Sequence, residues 1–305
     1  MKVYINRQPV SGPWGGGNKT VIALSQALRS SGHDVVYDLR HKNIDLIFCF
    51  DPRPNEIGEN YGDLWNYKMR YGTPIVQRVG DVGTHGKPWL TDLVKASSGV
   101  SDMLIFPSLW AKEKIRFSGN NYKIIHNAPL KEFYENRSGK KPDSKIGIIT
   151  HHWSTNPKKG FDFYRELDDR LPDMENLEFT YVGRLPSGFE FKNSKYVKAM
   201  GDNKKLSEII SSNDIYLTAS EEEAGANHVL ESLACGLPVA YHKNGGSIVE
   251  YCSEYGEQYA DVDSMFTAID KIISNYLTLR EKVLCYQNNI TNVVSEYTEL
   301  ICDMV

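Results

Sequence analysis

The sequence predicts an α/β protein made of two Rossmann-like domains, each a doubly wound parallel sheet, followed by a helical tail. The length of 305 residues favours two domains of roughly 150 residues each. Short apolar runs alternate with helix-length segments, which is typical of β-α-β units and a parallel sheet. Around residues 131–145 this pattern lapses into Lys, Glu, Asn, Ser, Gly and Pro, as expected of a linker. We therefore predict domains at 1–135 and 136–275, and a tail at 276–305 that could pack back on the first domain.

The first domain opens with a strand at Val3–Ile5 and a glycine-rich segment at Ser11–Gly17. Asn18 is a candidate cap for a helix that Gly32 ends. The later strands of this domain are predicted at Val35–Tyr37, Ile44–Phe50, Pro74–Val79, Met103–Phe106 and Lys123–Ile125.

The second domain repeats the alternation. Strands are predicted at Ile146–Thr150, Leu177–Val182, Ile215–Thr218 and Pro238–Tyr241, with helices from Lys159, near Leu206–Ser211, from Ala224 and from Ser247. From about Val262 the pattern is helical to the end. Ligands of such sheets bind beyond the carboxyl ends of the strands, so the two domains could face each other across a ligand-binding cleft.

Composition narrows the class of protein. Apolar residues make up 41% of the chain, charged residues 24%, and the formal net charge is −4, so no basic excess indicates a nucleic-acid partner. The amino terminus shows no signal-peptide pattern, and no apolar run is long enough to span a membrane. The five cysteines are scattered and are interpreted as reduced thiols. We expect a cytoplasmic protein, with peripheral contact at the inner membrane face left open.

The most informative segment is 218–239, a predicted strand, polar turn, helix and strand. Glu223 and Glu231 are eight positions apart, or roughly 12 Å if Glu223 begins the helix. The first-turn amides, at Gly225, Ala226, Asn227 and His228, would form an anion site. That arrangement suits a nucleotide sugar. The diphosphate would bind the amides, one carboxylate would lie near the hydroxyls of the transferred sugar, and the other near those of the ribose. By itself, however, a pair of glutamates on a solvated helix is commonplace.

The context of the two glutamates makes the pattern more specific. Around them stand Ser220, Ala234-Cys235-Gly236-Leu237-Pro238-Val239 and Gly245-Gly246. The segment resembles the signature of the retaining glycosyltransferases of family 4, which have the GT-B fold. Weaker similarities to that family follow in the expected order at Gly16-Gly17, Gly32–Val35, Ile125–Asn127 and Lys159-Gly160.

The resemblance implies a role for each candidate residue. Glu223 would hold the donor sugar, Glu231 the ribose, and Lys159 the diphosphate. Asp81 and His85 follow a buried strand and would lie against the transferred sugar. The remaining donor-binding candidates are the amides of Gly16, Gly17 and Gly225–His228, and Arg184 near the nucleobase.

The sequence departs from the family just before Lys159. An Arg commonly stands several residues earlier, whereas this chain has His151-His152-Trp153-Ser154, so that a His, Ser154 or backbone amides would replace it. Asp261-x-Asp263 is interpreted as a helix cap, and we expect no metal and no cofactor.

We therefore predict a metal-independent glycosyltransferase that uses a nucleotide-diphosphate sugar and retains the anomeric configuration. The acceptor could be a glycan, a lipid or a small molecule, and the base uridine or guanosine. A non-hydrolysing nucleotide-sugar epimerase would have the same architecture. A non-catalytic nucleotide-sugar-binding protein is a third alternative.

Overall fold

A computed structural model describes residues 1–10, 16–137 and 145–305 of the chain. It divides into two compact units, the first formed by Met1–Asn127 with Ile290–Val305, and the second by Ala128–Asn289. The division falls at 127, not at the predicted 135. The physical reason is that the short helix at Glu132–Glu135 buries Phe133 in the second unit's core, although its neighbours are polar.

The first unit contains a six-stranded parallel sheet with the order β2-β1-β3-β4-β5-β6. Each residue of the third and fourth strands is buried, because apolar side chains on both strand faces are covered by helices. The strands are β1 (Lys2–Ile5), β2 (Asp34–Val36), β3 (Leu46–Cys49), β4 (Ile75–Arg78), β5 (Met103–Phe106) and β6 (Tyr122–Ile124), and the helices are α1 (Gly16–Ser30), α2 (Tyr61–Tyr71), α3 (Pro88–Ser98) and α4 (Leu109–Lys114).

The second unit contains another six-stranded parallel sheet, with the order β12-β11-β10-β7-β8-β9. Its strands are β7 (Ile146–His152), β8 (Leu177–Gly183), β9 (Lys195–Lys198), β10 (Ile215–Thr218), β11 (Val239–His242) and β12 (Gly256–Tyr259). The helices are α5 (Glu132–Glu135), α6 (Phe161–Arg170), α7 (Asn203–Ser211), α8 (Asn227–Ala234), α9 (Ser247–Cys252), α10 (Val262–Ser274) and α11 (Tyr276–Leu284). The two edge strands β9 and β12 were not predicted, because edge strands are partly exposed and these carry no apolar run.

The carboxyl-terminal segment is helical, as the sequence predicts. Residues 276–289 belong to the second unit, and only the last helix, α12 (Ile290–Asp303), belongs to the first. This helix packs on α1 and buries Val293, Tyr297 and Ile301. Across the described ranges, the helices are too short or too polar to cross a membrane.

Two predicted helix starts are wrong. Asn18 lies inside α1, where its side chain bonds the backbone N–H and carbonyl of Val10 at 2.9 and 2.7 Å and does not cap the helix. Helix α8 begins at Asn227, not at Ala224, because the preceding turn makes strand-like contacts instead. Glu223 forms an isolated parallel bridge with Gly246.

Candidate active site

The second sheet reverses its strand order between β7 and β10. The chain proceeds from β7 towards β9 on one side and from β10 towards β12 on the other. Connections diverge at such a point and leave a crevice at the carboxyl ends of the two strands, where ligands of this fold bind. The candidate residues of the second unit therefore have to be sought at the ends of β7 and β10.

A tight turn brings two lysines to this edge. After β7, Pro157–Lys159 form one turn of 3-10 helix, and Gly160 follows with a φ of 74°. A Cβ on Gly160 would lie 2.4 Å from the Ala219 Cβ and 2.5 Å from its carbonyl oxygen. Glycine is therefore required here both by the backbone conformation and by the close approach of the two loops.

Each lysine pairs with a glutamate of the loop that follows β10. The Lys159 ammonium bonds the Glu223 carboxylate, and the Lys158 ammonium bonds that of Glu222. The inner pair is the more buried, with side-chain exposures of 10% and 14%, against 39% and 28% for the outer pair. Glu222 has a φ of 53°, a strained conformation of the kind found at functional sites.

Glu231 belongs to a separate buried network. His151 Nε2 lies 2.9 Å from Glu231 Oε2, and His151 Nδ1 lies 3.0 Å from the Tyr216 hydroxyl. Because a carboxylate only accepts hydrogen bonds, we assign the proton of the histidine to Nε2. The tyrosine and the histidine thus fix the orientation of the Glu231 side chain, which is 10% exposed.

Two further histidines at this edge are neutral. Burial, with a smaller effect of the Lys159 charge, lowers the pKa of His228 to about 3. Burial and the nearby histidine and lysine charges also lower the pKa of His152 well below its usual range. His228 Nε2 lies 3.0 Å from the Thr218 hydroxyl, and His152 Nε2 lies 2.7 Å from that of Tyr164. These two histidines therefore supply no positive charge at this edge, whereas Lys158 and Lys159 do.

Unsatisfied polar groups mark the same place. His152 Nδ1 and Ser220 Oγ are buried and have no hydrogen-bond partner among the described residues. Such atoms cost about 1–3 kcal/mol each and are uncommon in folded proteins. Their position beside the paired charges is the kind of local cost that functional sites carry.

Helix α8 presents its amino terminus at this edge. The helix has no side-chain cap and no acidic residue in its first turn, so its first amides and its dipole favour an anion. Of the amides predicted for this purpose, that of Ala226 is occupied, since it donates to Ser247 Oγ at 3.1 Å. Asn227 and His228 are the first two residues of the helix, and Gly225 lies before the cap.

The geometry assumed for the two glutamates is wrong. Glu223 lies four residues before α8 and is held by its bridge to Gly246, so the helical rise does not measure its distance from Glu231. Only Glu231 is on the helix, one turn inside it. A glutamate-rich turn gives no sequence signal for the β-bridge that Glu223 forms. For that reason the sequence suggested a longer helix.

The candidates of the first unit lie at the start of α1 and in the loop after β4. Gly16 and Gly17 are the first residues of α1. Asp81 and His85 lie between β4 and α3, and the Asp81 carboxylate bonds Lys87 Nζ at 2.9 Å and the Gly83 amide at 2.9 Å. These positions agree with a place beyond the strand ends, whereas their roles remain predictions.

Arg184 follows β8 in the second unit and is exposed. Its guanidinium carbon lies 5.8 Å from the centre of the Trp153 ring. Its predicted role near a nucleobase remains a prediction.

The sequence did not predict the partners of the site residues. Tyr216 and Tyr164 were not candidates, since a tyrosine within an apolar strand or helix is indistinguishable from core. Glu222 was not a candidate either, since it stands in a run of three glutamates. The signal for His151 was present, because a His-His pair at the end of a buried strand is placed where ligands bind.

Comparisons with known proteins show that other proteins share this fold. Over the whole chain, the fold is similar to that of sucrose-phosphate synthase from Thermosynechococcus elongatus, with 13% identity, a TM-score of 0.71, and coverage of 100% of this chain and 99% of that one. HepE of Anabaena in complex with UDP gives 13% identity and a TM-score of 0.72, covering 99% and 100%. WaaG, a glycosyltransferase involved in lipopolysaccharide biosynthesis, gives 13% identity and a TM-score of 0.70, covering 99% of this chain and 99% of that one. The protein has the two-domain, Rossmann-like GT-B fold.

A family match adds to the likeness of fold. Residues 145–275, which include the whole edge described above, match the family Glycosyl transferases group 1. No curated protein matches the sequence. The family match and the fold together support a glycosyltransferase.

Proposed function

We propose that this protein transfers a sugar from a nucleotide-diphosphate sugar to an acceptor, with retention of configuration and without a metal ion. The observation that carries the proposal is the edge of the second sheet between β7 and β10. There, the buried Lys159, its partner Glu223 and an uncapped helix end lie together within the segment that matches the family. The resemblance of the Glu223 to Glu231 segment to retaining enzymes supports the stereochemistry.

The diphosphate would bind between Lys159 and the first amides of α8. Lysine and helix amides both favour negative charge, and charge develops on the leaving diphosphate as the glycosidic bond breaks. The donor would compete with Glu223 for the Lys159 ammonium. Once displaced from that pair, the Glu223 carboxylate would accept hydrogen bonds from the sugar hydroxyls.

The ribose would bind at Glu231. A carboxylate held by His151 and Tyr216 is already oriented before the donor arrives, so less ordering is required on binding. The base would lie on the side of Arg184 and Trp153. Asp81, His85, Gly16 and Gly17 would serve the transferred sugar and the phosphates, as the family resemblance implies. A glycan or a lipid-linked molecule is the proposed acceptor, and the proposed location is the cytoplasm.

The test begins with a thermal-shift screen of nucleoside diphosphates and their sugars on the full chain. A ligand at 100 times its Kd adds about 2.7 kcal/mol to the free energy of unfolding. The stabilising donor is then incubated with and without candidate acceptors, and the anomeric configuration of the product is determined by NMR. Retention in an acceptor-dependent product supports the proposal. An inverted product refutes the stereochemistry, and epimerised donor formed without an acceptor identifies an epimerase.

A further inference from the structure

The first sheet has a reversal point of its own, between β1 and β3. Two cavities lie at the carboxyl edge of this unit, of about 140 Å³ and about 550 Å³, and both are lined by Gly17, Phe50 and Asp51. The smaller cavity is also lined by Arg78, from the end of β4, and by Asp81. Its volume is well above the ~10–15 Å³ that one water needs.

Arg78 is a buried cation with neutral partners. Its side chain is 4% exposed, its Nε donates to the Tyr297 hydroxyl at 3.3 Å, and its Nη2 donates to Asn127 Oδ1 at 2.7 Å. The guanidinium lies 4.7 Å from the centre of the Phe50 ring. Among the described residues, Nη1 has no hydrogen-bond acceptor and no carboxylate pairs with the guanidinium. Burying a charge without an opposite charge costs several kcal/mol.

The carboxylates of the same cavity are already neutralised. Burial alone would raise the pKa of Asp51, but hydrogen bonds and charge from Arg53 hold this pKa below its usual value. Asp81 pairs with Lys87 at 2.9 Å. The undescribed residues 11–15 carry no acidic side chain. The carboxylates of Asp51 and Asp81 therefore pair with other cations and do not balance the positive charge of Arg78.

Two other features favour an anion at this place. Gly17, in the first turn of the 15-residue helix α1, lines the cavity, and that turn contains no acidic residue. The helix dipole thus adds to the guanidinium charge. Gly80 leaves room for the guanidinium, since a Cβ there would lie 2.1 Å from Arg78 Nη1.

We propose that Arg78 and the first turn of α1 form a subsite for a phosphate group of a substrate, whose remaining part occupies the adjoining 550 Å³ cavity. A guanidinium donates charge-assisted hydrogen bonds to phosphate, here through Nη1, and pockets of this size hold small-molecule ligands. If the proposed glycosyl transfer is correct, the phosphate belongs either to a phosphorylated acceptor or to the donor. The subsite itself does not depend on that function.

The test is a calorimetric titration of the full chain with methyl phosphate, carried out on the parent protein and four variants. We expect Arg78→Met and Asn127→Asp to weaken binding at least tenfold. The second variant keeps the arginine and supplies an internal carboxylate 2.7 Å from it, so it remains informative if Arg78→Met fails to fold. Arg70→Met, on the exposed face of α2, should leave the Kd for methyl phosphate unchanged. Lys159→Ala, which removes the cation of the proposed diphosphate site, should still show the binding that Arg78→Met loses.

A second series with saturating UDP distinguishes the sources of the phosphate. If methyl phosphate still binds in the presence of UDP, the subsite holds the phosphate of an acceptor. If UDP displaces methyl phosphate and also binds more weakly to Arg78→Met, the subsite holds a phosphate of the donor. The proposal is overturned if the parent protein does not bind methyl phosphate, if Asn127→Asp binds it as tightly as the parent, or if only Lys159→Ala loses it. Failure of UDP to bind any form would contradict the proposed donor site and not this subsite.

Discussion

The two units reverse their strand order in the same way but carry different arrangements of charge at the carboxyl ends of their strands. In the second unit, Lys158, Lys159 and His151 each bond a glutamate. In the first, Arg78 is buried against a tyrosine, an amide and a phenylalanine. The proposed donor would have to displace an internal partner at the second edge, whereas the proposed phosphate at the first edge would not. The same fold can therefore make one site switchable and the other preorganised.

The largest expected effect concerns the paired edge. Replacing Lys159 by Ala should weaken binding of the nucleoside diphosphate by about 10- to 100-fold, since a hydrogen bond to a charged group contributes roughly 1.5–3 kcal/mol. Lys158→Ala is the matched control, because its side chain is four times as exposed, 39% against 10%, and exposed pairs contribute little. Calorimetric titration measures both. Equal losses in the two variants would contradict the distinction between the inner and outer pair.

The two glutamates should have separable effects on the reaction. Glu223→Gln should lower kcat about tenfold, because the contact of this residue with the sugar strengthens as the ring flattens. Glu231→Gln should mainly raise the donor KM, since a ribose contact is the same in the ground and transition states. Steady-state kinetics with the identified donor measure both, and Glu178→Gln, exposed on β8, is the control. A lower kcat at unchanged KM for Glu231→Gln would reverse the proposed orientation of the donor.

Acid should destabilise the second unit through its neutral histidines. The pKa of His228 is about 3 in the folded protein and about 6.5 when unfolded. Between these values the unfolded chain binds one more proton, so the free energy of unfolding falls by about 1.4 kcal/mol for each unit that the pH falls. His152 acts in the same direction.

Replacing His228 by Asn should remove the contribution of that residue. Urea unfolding between pH 7 and 4 measures the slope for the parent protein and for His228→Asn. A variant slope equal to that of the parent would mean that His228 is protonated in the folded state.

The smallest expected effect is that of metal removal. If lysine and helix amides neutralise the diphosphate, exhaustive chelation should leave the rate of transfer unchanged. Loss of activity that Mn²⁺ or Mg²⁺ restores would assign that neutralisation to a cation and remove the proposed role of the helix end.

Much of the architecture was predictable because it depends on burial. Strands such as β3 and β7 are buried along their whole length; β3 and the first half of β7 appear in the sequence as apolar runs. The edge strand β9 is not predictable in this way, since its sequence Lys195–Lys198 is mostly exposed. The fold of both units followed from periodicity, and the exact strand number did not.

The residues of the candidate site were predictable where they belong to a sequence motif, whereas their contacts were not. Lys159, Glu223 and Glu231 were identified from a family resemblance. The pairing of Lys159 with Glu223 joins residues 64 positions apart, and no local pattern encodes it. Arg78 was passed over for a similar reason, because its lack of a carboxylate partner is a property of the packed structure.

The most direct test of the account is amide hydrogen exchange of the full chain with and without the nucleoside diphosphate that the thermal screen selects. We expect slower exchange at the amides of Asn227 and His228 and in the turn that contains Lys159, since the diphosphate would bond those groups. We also expect Lys159→Ala to reduce this protection. Unchanged exchange across 219–231, in a sample where calorimetry shows the nucleotide bound, would contradict the central claim that the edge between β7 and β10 holds the donor.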